Sequence, residues 1–190
     1  MPVTEAPADT GARSRTRRAI LDAAATVLAR HRGATLADIA EAAEVGRTTL
    51  HRYFPDREAL LTAVVEDSWR TIEDATRDAA IDDGPPAEAM RRLVSAMVDA
   101  GDRLLFLFGD PRRSDDHPVP PQDPILDLIR RGQADGAFDP GVSAEWIRTV
   151  VWGLVYAGCE AAGDGLLPRH GVTETVIRTL QNGIGPHAGR

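Results

Sequence analysis

Residues 34–64 read ATLADIAEAAEVGRTTLHRYFPDREALLTAV, and the breaks inside this stretch decide the fold. Thr35 stands just before an apolar-periodic run, and Asp38 follows three residues later, a capping-box-like start for a helix. Leu36, Ile39, Ala40 and Ala43 form the buried stripe of that helix. Glu44-Val45-Gly46 makes a turn, and a short helix from Arg47 to Phe54 follows. Pro55 ends it, because the residue before a proline is pushed out of the helical region. Asp56 then caps a long helix striped by Leu61, Val64, Val65, Ser68, Ile72, Ala75 and Ala79.

Two short helices joined by so tight a turn meet the demands of a helix-turn-helix. Ala40 is small enough for close approach, and Val45, Leu50 and either Tyr53 or Phe54 can plug the space between the helices. Arg47, Thr48, Thr49, His51 and Arg52 then point outward. A short helix with polar residues at its start suits a DNA major groove, where arginine pairs with guanine and hydroxyls reach bases or phosphates.

Charge supports this reading upstream. Residues 10–57 hold nine Arg against five Asp and Glu, whereas residues 58–190 hold thirteen Arg against twenty-two acids. The net charge of −7 therefore hides a basic head on an acidic body, as fits a protein whose head alone meets phosphates. A first helix is predicted from Arg13 to Arg32, with Ile20, Ala24, Val27, Leu28 and His31 on one face. Arg13, Arg15, Arg17 and Arg18 are either a minor-groove arm or solvated side chains. Residues 1–12, rich in Pro, Ala and Thr, read as disordered.

Downstream the periodicity stays helical, with no alternating strand and no internal repeat. A fifth helix starts at Pro86 and a sixth beyond Gly101. A charged, Pro-rich loop spans 109–123, and a seventh helix opens at Asp123-Pro124. Ser143 caps an eighth, and a ninth runs from Thr173 to Ile184. The class is therefore all-α, about nine helices. A helix-turn-helix domain is expected over residues 13–57 and a second helical domain over 58–190. The longest nearly apolar run, Val150 to Ala162, is too short to span a membrane, and the opening residues lack a secretory pattern; a cytoplasmic protein is expected. The single cysteine, Cys159, excludes an internal disulfide and is either a small buried residue or a redox thiol. Asp115, Asp116 and His117 have no partner motif, so no metal is expected. No phosphate loop, nucleophile elbow or His-Glu metal helix is present, so neither cofactor nor catalytic residue is expected.

Residues 16–65 resemble the DNA-binding domain of the tetracycline-repressor (TetR) family, most specifically in T-L-H-R-Y-F followed by D-R-E-A-L. RGQADGAF before an apolar helix is similar to what many members show. The resemblance implies that Arg47 and Thr48 face bases. It also implies that Thr49, His51, Tyr53 and Arg57 contact phosphate, as does Thr35 unless it is a plain N-cap. Two positions depart from the family pattern. Glu44 replaces a turn glycine, at a cost of roughly 1–2 kcal/mol if left-handed, and His51 replaces a tyrosine, giving a weaker or pH-dependent contact.

The eighth helix, VVWGLVYAGC, is apolar nearly all round, so more than one face should be buried. By resemblance the last two helices pair in a homodimer through Val151, Leu154, Val155, Val176, Ile177, Leu180 and Ile184. A ligand pocket is implied among the fourth to eighth helices. Trp69, Phe106, Phe108, Trp146, Trp152 and Tyr156 line it unless they are core, and their content suggests an apolar or planar ligand. The expected protein is a ligand-responsive regulator, a repressor as most members are, that binds palindromic double-stranded DNA. Its rivals are a helical ligand-binding or adaptor protein and an enzyme.

Overall fold

A computed structural model describes residues 8–109 and 123–184. Among them are nine α-helices and one short 3-10 turn, with no strand. The chain divides into two compact units, Met1–Trp69 and Arg70–Arg190. The division falls inside an unbroken helix rather than after Arg57, because Leu60, Ala63 and Val64 of that helix are buried residues of the first unit.

The first unit contains α1 (Ala8–Arg30), α2 (Leu36–Ala42), α3 (Arg47–Tyr53) and the start of α4 (Arg57–Asp78). Helix α1 begins five residues before the expected Arg13. Residues 8–12, read as disordered, are thus helical, with the Thr16 hydroxyl donating back to the Ala12 carbonyl at 3.0 Å. Its buried face is Ile20, Leu21, Ala24, Ala25 and Leu28, whereas Val27 is half-buried and His31 exposed. Against it pack Ile39 and Ala40 of α2, with Leu50 of α3 and Phe54 also buried in the unit. Asp56 caps α4 by accepting from the Ala59 N–H at 2.8 Å.

The turn between α2 and α3 is a Schellman motif. The Val45 N–H donates to the Ala40 carbonyl at 2.9 Å and the Glu44 N–H to the Glu41 carbonyl at 3.0 Å. Glu44 takes φ 54°, the left-handed position that the family fills with glycine.

The second unit holds the end of α4, α5 (Pro86–Asp99), α6 (Gly101–Phe108), α7 (Pro124–Ala134), α8 (Ala144–Gly163) and α9 (Val172–Ile184). The 3-10 turn Arg169–Gly171 leads into α9, which starts one residue before the expected Thr173. Helices α5 and α8 lie at the centre, each packed on α6, α7 and α9. Met90, Leu93, Val94 and Met97 of α5 meet a core that also takes Leu128 and Ile129 of α7. A Cβ on Gly158 would lie 2.6 Å from Val176, so α8 and α9 approach as closely as glycine permits. RGQADGAF closes α7 with Gly136 at φ +72° and sets the Phe138 ring directly on Gly132.

Two arginines secure the turn after α4. Arg92 donates to the carbonyls of Ala79 at 2.8 Å and of Ala80 and Asp83 at 2.7 Å. Arg131 donates to the carbonyls of Ile81, at 2.7 Å, and Asp82. These bonds hold Ala80 at φ 47°, an uncommon backbone for alanine. Among the described residues no helix is long and apolar enough to cross a membrane. None of their His, Cys, Asp and Glu side chains form a group of three or more fit to hold a metal. Asp115, Asp116 and His117, with most of the 109–123 loop, lie outside the described residues.

Candidate nucleic-acid interface

Helix α3 has a buried back and an exposed front. Leu50 and Phe54 are buried, so Phe54 rather than Tyr53 completes the plug. Arg47, Thr48, His51 and Arg52 are exposed, while Thr49 and Tyr53 are half-buried at its edges. The Arg52 guanidinium sits 5.6 Å from the Tyr53 ring centroid, a cation–π contact that orders both side chains. His51 Nδ1 lies 3.2 Å from the Pro55 carbonyl and donates to it, since that oxygen only accepts.

Thr35 and Arg57 are placed differently from the rest. The Thr35 hydroxyl and N–H both donate to Asp38 Oδ2, at 2.9 and 2.7 Å, and the hydroxyl accepts from the Asp38 N–H at 3.3 Å. This reciprocal box fixes the start of α2. The Thr35 N–H and then its hydroxyl hold the Asp38 carboxyl below its ordinary pKa. Arg57 donates to the Arg32 carbonyl at 2.7 Å and to the Ala34 carbonyl, tying the start of α4 to the loop after α1. Arg17, read as an arm or a solvated residue, stacks 5.6 Å from the Phe54 ring centroid.

In the second unit, Leu104 and Phe108 of α6 with Thr149, Trp152, Gly153 and Tyr156 of α8 line a recess of about 310 Å³. Of the six aromatic residues expected around a ligand, Phe108, Trp152 and Tyr156 are there. Phe106 is buried core, Trp146 is 59 % exposed, and Trp69 belongs to the first unit. Leu104, Thr149 and Gly153 were not foreseen, although Thr149 stands three residues before Trp152 and four before Gly153, the spacing of one helical face.

The expected dimer residues divide. Val151, Val155, Val176, Ile177 and Leu180 are buried within one chain, because α8 and α9 pack on each other and on α5. They are core, not a face left for a second copy. Leu154 is half-exposed, and the Ile184 side chain lies outside the described residues. Cys159 is also core: its sulfur abuts Gly101, and burial pushes its thiol up to about 11. Thiolate is therefore scarce at neutral pH, which favours the packing role over a redox one.

A capped helix, a tight turn and a short helix with a polar front define a DNA-binding regulator of the helix-turn-helix class. The family model for bacterial regulatory proteins of the tetR family matches residues 20–64. The HTH-type transcriptional repressor LfrR of Mycolicibacterium smegmatis is 39% identical over 188 residues, covering 96% of this chain and 97% of its own. The chain belongs to the TetR family; it is a transcriptional regulator and not an enzyme. The crystal structure of LfrR matches with a TM-score of 0.74 at 39% identity, covering 92% of this chain and 98% of that one. The crystal structure of LfrR in complex with proflavine matches with a TM-score of 0.71 at 40% identity and the same coverage.

Proposed function

We propose that this chain is a cytoplasmic transcriptional repressor that binds a palindromic double-stranded operator as a homodimer and leaves it when a planar small molecule binds. The observation that carries the reading is the two-sided α3, with Leu50 and Phe54 behind and Arg47, Thr48, His51 and Arg52 in front. Arg47 and Thr48, at the start of the helix, read base edges; Thr49, His51 and Tyr53 meet phosphates. Thr35 and Arg57 flank them and brace the entry to α2, so their part at the phosphates is chiefly to position the backbone.

The repressor reading draws on LfrR, a named repressor of similar length, and the effector reading on its structure with proflavine. Phe108, Trp152 and Tyr156 form the effector recess. With the expected apolar residues taken into the core, the outer sides of α8 and α9 serve the dimer. Leu154 and Ala157 on α8, and Thr175 and Thr179 on α9, are small or partly exposed and let two copies approach closely.

The test is to select duplexes from a random pool and follow their binding by fluorescence anisotropy at several salt concentrations. A selected duplex with two half-sites, bound more weakly as salt rises, is the expected result. Equal affinity for unrelated duplexes would refute the reading.

A further inference from the structure

We propose that His51 contacts a DNA phosphate only as the imidazolium, so that each reading head takes up a proton when it binds the operator. The proposal rests on the reading of α3 as the helix that meets DNA and adds the protonation state of one contact to it.

A bond within the chain decides which ring nitrogen is free. Phe54 leaves the helical region ahead of Pro55, at φ −135° and ψ 102°, and the Pro55 carbonyl lies 3.2 Å from His51 Nδ1. That oxygen only accepts, so Nδ1 carries a hydrogen. In the neutral ring Nε2 then has a lone pair and no hydrogen. His51 is exposed, and its bond to Pro55 uses the other nitrogen, which leaves Nε2 for a partner outside the chain. A phosphate oxygen is an acceptor too, so neutral His51 and a phosphate meet as two lone pairs. A proton added at Nε2 turns it into a charged donor and leaves the Pro55 bond intact. A tyrosine hydroxyl at this position would donate at any ordinary pH; histidine makes the same contact conditional.

The charged groups around His51 do not supply the proton's counter-charge. On α3, Arg47 stands one turn before it and Arg52 directly after, with the Arg52 guanidinium over the Tyr53 ring. Helix α2, packed on α3, carries Asp38 and Glu41; Asp38 is engaged by the Thr35 N–H and hydroxyl. Arg17 of α1 lies over the Phe54 ring. At the start of α4, Asp56 accepts from the Ala59 N–H and Arg57 donates to loop carbonyls. Glu41, Glu44 and Glu58 are exposed, and among the described residues no carboxylate pairs with His51. The negative charge that favours the imidazolium is therefore the phosphate itself. The DNA-bound state then holds more protons than the free protein, so affinity must fall as pH rises.

Anisotropy titrations of the selected operator at pH 6 and pH 8, at one fixed ionic strength, test the proposal. Wild-type affinity should fall about tenfold or more between the two. His51→Ala should bind alike at both and match wild type at pH 8. His51→Gln, whose amide donates at either pH, should also bind alike at both, but more tightly than His51→Ala. His31→Gln, which alters the other histidine of the first unit, should keep the wild-type pH dependence. Calorimetry at pH 7 in phosphate and in Tris buffer should show proton uptake on binding for wild type and none for His51→Ala. Specific binding with the same affinity at pH 6 and pH 8, or a pH dependence that survives in His51→Ala, overturns this proposal and leaves α3 as the reading helix. Affinity that rises with pH does the same, since it would mean that the bare Nε2 accepts from a base amino group. Equal affinity for unrelated duplexes overturns the reading of α3 and this proposal with it.

Discussion

The two units carry their chemistry in different ways. In the first, one helix of seven residues holds the exposed polar groups, and its neighbours exist to cap, brace and back it. In the second, the recess is assembled from α6 and α8, which are far apart in sequence, and several wall residues have a buried residue beside them. Leu104 lines the recess next to buried Arg103, and Trp152 follows buried Val151. A reading surface can be local because DNA presents a groove that fits a single helix. An enclosing surface cannot, since it must be made by several elements at once.

Substitutions at matched positions sharpen this contrast. The largest effect is expected in the core of the second unit. Leu180→Ala removes a buried side chain between α9 and its neighbours and should cost about 2–5 kcal/mol of stability, read as a lowered denaturant midpoint. If the midpoint is unchanged and only dimerisation is lost, Leu180 faces a second copy and the division between core and interface is wrong. Arg47→Ala comes next. It should cost about 1–3 kcal/mol on the selected operator and relax one base position, while proflavine affinity stays the same. Unchanged base preference would remove Arg47 from the reading surface.

The turn offers a smaller, opposite effect. Glu44→Gly relieves the left-handed backbone and should stabilise the first unit by about 1 kcal/mol, with operator affinity preserved. A destabilised variant would mean that the Glu44 side chain, not its backbone, matters. The smallest effect is at Cys159. Its folded pKa of about 11 lies above the ordinary 9.0, so its contribution to stability is full below pH 9 and is lost as pH rises through 11. Cys159→Ala should remove that alkaline component from the pH dependence of unfolding, and the wild-type thiol should resist alkylation at pH 8 until the chain unfolds.

How much was legible follows the same division. Thr35 with Asp38, Pro55 with Asp56, and Asp123 and Ser143 as caps all stand where the sequence puts them, because capping and proline geometry act over three or four residues. The strain at Glu44 was legible too, since a helix that stops before a tight turn needs one left-handed residue. The use of Arg57 on loop carbonyls was not, nor was that of Arg92 and Arg131, because their partners are fixed only by tertiary packing. The apolar residues of α8 and α9 were read as an interface for a related reason. An all-apolar helix declares that several faces are buried but not which face meets its own chain.

The most direct test of a reading head under the control of a sensing body is the affinity of wild-type protein for its selected operator with and without saturating proflavine. The account predicts sequence-specific binding that weakens about 5- to 150-fold when proflavine is added, the range of ordinary coupling between two sites. Operator affinity that is the same with and without proflavine, under conditions where calorimetry shows proflavine bound, would contradict it.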